Sequence, residues 1–453
     1  MTEMDGRETV SRQMYAGYGV IDITPSVGEF CSFRLAPNKR SLGVHDPLFA
    51  KVFYLANETN AFLMVSVDTG MVSAPLVEKI KEGITEKTAL PASQILVAST
   101  HTHNGAETYG EEPLLDHTVQ VNRVVEACIK AAEVAVKEKC PARIGWGHVE
   151  LPGLAKNRFQ NAQGGDVDCV DDRLDFLKVE DENGRHMGII WHFAAHPTTC
   201  MKAGYLSSAD YYGVANKLVV EALGGFAVFF NGACGNINPE LGKRTFERAA
   251  YYGQQIATPL IEAVPLTKTV SGGCLSSVQT SIEMPLTDKR KDMLLADDRD
   301  EIMDYFEQIE SRKIPFTEEA YDNNWDLYQR LRCSWWKHKL IEELGDVDSD
   351  PICIQAHRIL DHFIVATPGE MFVEFQLALQ KAFKDRRAMI FGYANGYCGY
   401  VPDAKSFDAD SYETNPTIMH RAGMYAGEQM MEIGKTLLET LIGRKKNNEH
   451  ESR

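Results

Sequence analysis

Short runs of apolar residues, each bounded by polar or turn-forming residues, recur along the chain and predict buried β-strands. These runs lie at 61–67, 94–99, 187–194, 226–230, 351–355, 362–367 and 388–393. Stretches with apolar residues at helical spacing separate or follow them and predict helices. These stretches lie at 73–85, 115–137, 211–222, 245–264, 372–383 and 423–441. Because the strands alternate with helices, we predict an α/β fold with mixed, partly parallel sheets flanked by helices.

Two segments depart from this alternation. The segment at about 287–345 is charged, contains tryptophan and tyrosine and lacks strand-like runs, which predicts a helical insertion. The last residues, at about 443–453, form a polar tail. No internal repeat or low-complexity linker divides the remaining chain. We therefore predict a single α/β domain over 1–453 that contains this insertion and this tail.

The charge balance narrows the class of partner. The chain has 453 residues, 47 Lys+Arg against 64 Asp+Glu, and a formal net charge of −17. This balance disfavours nucleic-acid binding, because such proteins neutralise phosphates with clustered Lys and Arg. No apolar run approaches the length that a transmembrane helix requires. We expect a small-molecule substrate, no nucleic acid and no integral membrane segment, and a homo-oligomer is compatible with this class of protein.

The cysteines and the first residues bear on the compartment. The ten cysteines are scattered and form no CxxC pair, which is typical of buried thiols in a reducing compartment. Residues 1–13 are polar and lack the apolar core of a signal peptide. Both observations predict a cytoplasmic protein.

Five polar motifs follow predicted strands, at the end where α/β folds place catalytic and ligand-binding groups. Because parallel strands align their carboxyl ends along one edge of a sheet, we expect the motifs to converge. They are 100–105 (THTHNG), 195–198 (AHPT), 231–239 (NGACGNINP), 367–370 (TPGE) and 395–400 (NGYCGY).

The histidines give the sharpest indication of a metal site. In extended backbone, residues two apart share a face, so His101 and His103 can enter one pocket. Neutral imidazole suits zinc and related divalent ions, although one or both residues can equally be core or capping histidines. His196, at another strand end, favours the metal interpretation. His192, four residues earlier, is predicted to be a packed core residue.

The other candidates have ordinary structural interpretations beside the functional ones. Glu370 follows Pro-Gly at a predicted helix start, where an acid can either bind a metal or complement the helix dipole. Tyr397 and Tyr400 lie in a glycine-rich loop, where aromatic packing is the simpler role. Arg158 is either an anchor for a polar substrate group or a surface arginine. Backbone N–H groups of 231–239 could line an oxyanion site.

The order of these motifs resembles the N-terminal catalytic domain of the neutral/alkaline non-lysosomal ceramidases, from about residue 18 to about residue 425. The motifs that match are 23–25 (ITP), 100–103 (THTH), 157–158 (NR), 195–197 (AHP), 235–239 (GNINP), 368–370 (PGE) and 395–401 (NGYCGYV). The resemblance implies a ceramidase-like catalytic domain and a zinc-dependent hydrolase acting on an amide bond.

The resemblance also implies roles for individual residues. The implied zinc ligands are His101, His196, Glu370 and Tyr400. The residues that match family positions near the zinc, where substrate is placed and polarised, are His103 and Arg158. A supporting pair is implied at Tyr412 and Glu413. Asn238 stands where the family's active-site motif has a serine, so this position offers a carboxamide instead of a hydroxyl group.

The resulting hypothesis is a zinc-dependent hydrolase that cleaves an amide or ester bond through a metal-activated water. In this hypothesis His103 protonates the leaving group, and Asn238 or the Tyr397 hydroxyl supports the developing oxyanion. Two alternatives stay open. One is a metal-dependent enzyme acting on a sugar or an acylated sugar, and the other is a non-catalytic member that binds a metal or ligand without turnover.

Overall fold

A computed structural model describes residues 11–31, 40–109, 116–201, 205–239, 242–291, 295–311, 318–383 and 387–443. Nearly all of the predicted polar tail and most of the N-terminal segment 1–13 lie outside these residues. The strands are β1 Met14–Asp22, β2 Gly43–Val44, β3 Phe49–Ala56, β4 Ala61–Val67, β5 Ile95–Ser99, β6 Cys140–Glu150, β7 Ala155–Asn157, β8 Arg173–Asp181, β9 His186–Phe193, β10 Leu206–Ser207, β11 Phe226–Asn231, β12 Ile237–Pro239, β13 Leu275–Pro285, β14 Ser349–Ile359, β15 His362–Ala366, β16 Glu370–Met371, β17 Ala388–Phe391 and β18 Tyr400–Val401. The helices are α1 Ala74–Thr88, α2 Thr118–Lys137, α3 Arg158–Ala162, α4 Asp210–Leu223, α5 Phe246–Leu266, α6 Arg299–Glu310, α7 Glu318–Leu344, α8 Val373–Ala382 and α9 Ala426–Ile442.

Two mixed sheets form the body of the structure. The large sheet has eight strands in the order β11-β9-β8-β6-β1-β3-β4-β5, and the small sheet has four in the order β13-β14-β15-β17. Parallel pairs occur in both: β4 with β5 and β9 with β11 in the large sheet, and β15 with β17 in the small one. The predicted class of mixed, partly parallel sheets flanked by helices is therefore confirmed. Both α6 and α7 lie inside the predicted helical insertion.

Alternating side chains on the strands separate the core into layers. On β3, Phe53 and Leu55 belong to a buried cluster shared with strands β15 and β17 of the small sheet. Their neighbours Val52 and Tyr54 belong to a second cluster that includes residues of α1 and α2. Successive residues of a strand point to opposite faces, so one face of the large sheet packs on the small sheet and the other on helices. Among the described residues, no helix combines the length and apolar character needed to cross a bilayer.

Helix α2 lies against β1 at two glycines. A Cβ atom at Gly17 would lie 1.9 Å from the carbonyl oxygen of Ala135, and one at Gly19 would lie 1.9 Å from that of Ala131. Since both obstacles are backbone atoms, a larger residue can be accommodated only if the helix moves away from the sheet. The two glycines therefore set the spacing of this helix.

We expect Gly19→Ala to lower the free energy of unfolding by about 3 kcal/mol, because overpacking a tight contact displaces neighbouring backbone. Gly242→Ala is the matched control, because no heavy atom lies within 4 Å of a Cβ atom built there. Both substitutions remove similar backbone freedom from the unfolded chain. Urea denaturation measures the difference, and equal stabilities of the two variants would contradict this account.

The large sheet curves until its two edges approach each other. Ser66 on β4 donates its hydroxyl hydrogen to the carbonyl oxygen of Phe229 on β11 (2.7 Å). Just beyond, the side-chain amide of Asn231 donates to the carbonyl oxygen of Thr100 (3.3 Å). The carboxyl ends of β5 and β11 therefore lie side by side, although these strands are at opposite edges in the order of the sheet.

The small sheet joins this meeting point through the segment after β17. The backbone N–H of Asn395 donates to the carbonyl oxygen of Val97 on β5 (2.7 Å). The backbone N–H of Gly392 donates to the backbone carbonyl oxygen of Asn231 on β11 (3.0 Å). The strand ends that carry the polar motifs therefore do converge. They meet between the two sheets. The sequence had suggested a meeting along one edge of a single sheet.

Candidate metal centre

Three buried imidazoles meet where the strand ends converge. Nitrogen atoms of His101, His103 and His196 all lie within 4.8 Å of one another. The Nε2 atoms of His101 and His103 are 3.3 Å apart. His101 and His196 have no exposed surface, and His103 is 7% exposed. Three convergent imidazoles are a donor set that divalent transition metals favour.

The two histidines of the His-x-His pair converge through a turn instead of a strand. Strand β5 ends at Ser99, and His101 has a left-handed backbone conformation with φ of 67°. The intervening Thr102 donates its hydroxyl hydrogen to the carbonyl oxygen of Ser208 (2.7 Å). The prediction that both rings enter one pocket is confirmed, but the extended backbone assumed for it is wrong.

Backbone carbonyl groups fix the orientation of two rings. The Nδ1 atom of His101 lies 2.6 Å from the carbonyl oxygen of Gly70, and that of His196 lies 3.0 Å from that of Ile237. A carbonyl oxygen only accepts, so each Nδ1 carries a hydrogen and Nε2 is the ring nitrogen that can face a metal. Burial, reinforced by the positive charge of Arg158, lowers the pKa of His196 to about 4. This ring is therefore neutral at physiological pH.

Glu370 lies beside these rings and not in a helix. Glu370 is the first residue of the short strand β16. Helix α8 begins only at Val373, so the acidic residue in the first turn of this helix is Glu374. The carboxylate of Glu370 is fully buried, with Oε2 at 3.1 Å from Nε2 of His196 and 3.5 Å from Nε2 of His101. The alternative in which Glu370 complements a helix dipole is therefore wrong.

The spacing of these atoms fits a metal ion. One carboxylate oxygen faces the Nε2 atoms of two imidazoles at 3.1 and 3.5 Å, an arrangement that a cation between them stabilises. Donors bound at about 2.0–2.1 Å around a tetrahedral zinc ion would be separated by roughly 3.3–3.4 Å. The residues present thus suit a divalent ion. The three-histidine group and the set that includes Glu370 share His101 and His196.

Three tyrosines surround the carboxylate. Strand β16 pairs in parallel with β18 so that Glu370 lies opposite Tyr400, which places both side chains on one face of the pair. The Tyr397 hydroxyl donates to Oε1 of Glu370 (2.5 Å), and the Tyr393 hydroxyl donates to Oε2 (3.3 Å). The hydroxyl hydrogen of Tyr397 is used on Glu370, so its predicted role of supporting an oxyanion is replaced by one of holding this carboxylate.

Arg158 connects the tyrosine side of the site to the loop that contains Asn238. It follows β7, which pairs with β12. Its guanidinium donates to the Tyr400 hydroxyl (3.1 Å), to Oδ1 of Asn238 (3.0 Å), to the carbonyl oxygen of Gly235 (2.8 Å) and to Oε1 of Glu413 (2.9 Å). An arginine with four partners in the site is not a surface arginine, so that alternative is wrong.

The glycine-rich segment 231–239 does not offer all its backbone to a ligand. The N–H groups of Gly232, Gly235 and Ile237 each donate to a backbone carbonyl oxygen. The expected oxyanion site built from backbone N–H groups is therefore wrong at these three positions. What remains for a substrate here is a side chain: with its oxygen on Arg158, the amide nitrogen of Asn238 is available as a donor.

Tyr393 also belongs to this site, although the sequence predicts it only as the last residue of a strand. The residue carries no motif of its own, and the only signal for it is its position two residues before Asn395. In the structure its ring stacks on His101, with centroids 4.1 Å apart and an interplanar angle of 21°. Tyr393 contacts two of the donor side chains, His101 and Glu370.

Known proteins of one family are similar in sequence to the first half of this chain. Residues 14–235 match the family model for neutral/alkaline non-lysosomal ceramidase, N-terminal. Neutral ceramidase A of Dictyostelium discoideum is 25% identical over an alignment of 221 residues that covers 45% of this chain and 31% of that protein. Neutral ceramidase of Mycobacterium tuberculosis is 24% identical over an alignment of 234 residues that covers 46% of this chain and 36% of that protein. The matches thus span about a third of the length of these relatives.

The fold comparison extends over nearly the whole chain. The crystal structure of neutral ceramidase from Pseudomonas aeruginosa aligns with a TM-score of 0.74 at 19% identity, covering 97% of this chain and 76% of that one. A structure of ceramidase complexed with C2 aligns with a TM-score of 0.70 at 18% identity. The family model and the sequence matches assign residues 14–235 to the neutral/alkaline non-lysosomal ceramidase family, and nearly the whole chain shares the fold of the solved ceramidase structures.

Proposed function

We propose that this protein is a metal-dependent hydrolase that cleaves an amide or ester bond, with Zn²⁺ held by His101, His196, Glu370 and Tyr400. The main support is the approach of Oε2 of Glu370 to within 3.1 and 3.5 Å of two histidine Nε2 atoms. Those rings are held by backbone carbonyls in the orientation that metal ligation requires. Family membership supports the same reaction class, since the relatives are named as ceramidases.

The bound ion would polarise the scissile carbonyl group and lower the pKa of a water molecule. The chain's own residues would then orient the substrate and move protons. Asn238 would donate its amide hydrogens to the carbonyl oxygen of the substrate, because Arg158 already holds its Oδ1 atom. His103 lies beside His101, and its imidazole would exchange a proton with the leaving group. Its Nδ1 faces the sulfur atom of Met201 at 3.1 Å, a weaker acceptor than a carbonyl oxygen.

Two classes of substrate are candidates for this site. An N-acylated lipid is the first candidate because the relatives are named as ceramidases. Asn238 in place of a hydroxyl side chain, with Arg158 beside it, makes this part of the site polar and favours an acylated sugar as the second candidate. Rates on N-acyl lipid, acyl ester and acylated-sugar substrates separate the two. Zinc binding with no turnover on any of them would favour the non-catalytic alternative.

Metal analysis of the purified protein tests the proposed centre. We expect the wild-type protein to hold one zinc ion per chain after reconstitution and His101→Ala to hold no stoichiometric zinc, because the variant loses a donor whose ring is fixed by Gly70. His192→Gln is the control: His192 is buried and bonded to the carbonyl oxygen of Ile390 (2.9 Å), outside the donor set. A wild type without stoichiometric metal, or a His101→Ala variant that keeps it, would contradict the proposal.

A further inference from the structure

Tyr393 occupies a backbone position that joins the two halves of the candidate metal centre. Its carbonyl oxygen accepts from the N–H of Ser99 (3.1 Å), two residues before His101. Its own N–H donates to the carbonyl oxygen of Gly369 (3.3 Å), directly before Glu370. One residue thus links the end of β5 in the large sheet to the segment that carries the carboxylate.

The backbone conformation of Tyr393 is unusual. Its φ angle is 55°, in the left-handed region that non-glycine residues rarely adopt. Residues keep such conformations only where the surrounding structure determines them strongly, and they cluster at functional sites. His101 and Asn395 share this feature, with φ of 67° and 60°. The left-handed residues therefore occur on both segments that meet here.

The side chain of Tyr393 repeats the link made by its backbone. The ring stacks on the imidazole of His101 at a centroid distance of 4.1 Å, and the hydroxyl donates to Oε2 of Glu370 at 3.3 Å. Oε2 is the same oxygen that faces the two imidazoles. The Sγ atom of Cys234 lies 3.0 Å from the hydroxyl oxygen, and the whole residue is buried. Tyr393 therefore fixes the rotation of one donor ring and the direction of the donor oxygen opposite it.

We propose that Tyr393 is a positioning residue that sets the separation of His101 and Glu370 and so pre-organises the centre for its metal ion. This inference depends on the proposed function, since it assumes that these two side chains are ligands. Groups that hold metal ligands in place contribute to metal affinity without touching the ion. The two contacts are separable, because the hydroxyl acts on Glu370 and the ring acts on His101.

Zinc affinity, measured by competition with a chromophoric chelator, tests the inference. We expect Tyr393→Phe, which loses only the hydroxyl group, to bind zinc about 10-fold more weakly, and Tyr393→Leu, which also loses the stacking, about 100-fold more weakly. Tyr212→Phe is the matched control. Its ring stacks on Phe229 at 4.8 Å and its hydroxyl bonds to the side chains of Thr100 and Asp68, so the variant loses a buried hydroxyl group that contacts no proposed ligand side chain. We expect its zinc affinity to equal that of the wild type.

The outcomes distinguish this inference from the proposed function. If the wild type binds one zinc ion and Tyr393→Phe binds it equally tightly, the inference alone is overturned. If Tyr212→Phe loses as much affinity as Tyr393→Phe at a similar loss of apo-protein stability, Tyr393 has only a structural role and the inference is again overturned. If the wild type binds no zinc, the proposed function fails and the inference fails with it.

Discussion

Glu370→Gln is expected to lower hydrolytic activity on the order of 10⁴-fold, because a catalytic metal supplies several kcal/mol at the transition state and each 1.36 kcal/mol is tenfold in rate. The substitution keeps the size of the side chain but removes the negative charge that faces the imidazoles of His101 and His196. Glutamine is not among the ligands that zinc ordinarily takes. We therefore also expect the variant to hold no stoichiometric zinc. Initial rates and metal content of the same preparation measure both effects.

The control for this variant lies four residues further along the chain. Glu374 accepts from the side-chain amides of Asn236 (2.8 Å) and Gln160 (3.2 Å) in the first turn of α8 and contacts no proposed ligand in the described structure. Glu374→Gln should retain both zinc and activity within a small factor. A Glu370→Gln variant with wild-type zinc content and turnover would remove Glu370 from the centre.

Arg158→Lys is expected to reduce kcat by roughly 10²–10³-fold, the cost of losing a pre-organised donor in an active site, while zinc stays bound. The planar guanidinium reaches Tyr400, Asn238, Gly235 and Glu413 at the same time. A lysine ammonium carries the same charge on a flexible chain and cannot reproduce this fork. Tyr400 and Asn238 should then lose their fixed orientation relative to each other.

A second arginine provides the comparison for this prediction. Arg173 forms a bidentate pair with Asp175 on β8, with nitrogen–oxygen distances of 2.7–2.9 Å, and belongs to no part of the proposed site. Arg173→Lys should leave kcat unchanged. If Arg158→Lys retains full kcat, the contacts of Arg158 have only a structural role. If it loses its zinc, its main effect is on the ligand Tyr400 and not on substrate.

Most of the strands that could be predicted from the sequence consist almost entirely of apolar residues. Strands β4, β5, β11, β15 and β17 are buried on both faces, so their runs are continuous. Strand β8 was missed because it alternates charged residues with apolar ones, and its Lys178 and Glu180 pair with each other at 2.7 Å. Strand β3 was missed because Lys51 interrupts it, although this side chain is buried near Asp68.

The residues of the candidate centre were predictable only where a motif marked them. The HxH pair, His196 and Glu370 each follow a strand in a recognisable motif, and the structure brings them together. The backbone that achieves this was not predictable, because the left-handed turn at His101 depends on hydrogen bonds to Thr69 and Gly70. Tyr393 has no motif at all. Its proposed positioning role follows from contacts with residues that include His101, far away in the sequence.

The curvature that brings the edges of the large sheet together also affects how the chain folds. His196 and Glu370 are 174 positions apart in sequence. His196 follows β9 of the large sheet and Glu370 follows β15 of the small sheet, so a complete donor set exists only after both sheets have docked. A metal that binds this late arrangement and not the unfolded chain stabilises the whole molecule in proportion to its free concentration. Zinc should therefore raise the thermal midpoint of the entire fold as one transition, and a chelator should lower it. The metal centre would then stabilise the docking of the two sheets in addition to its catalytic role.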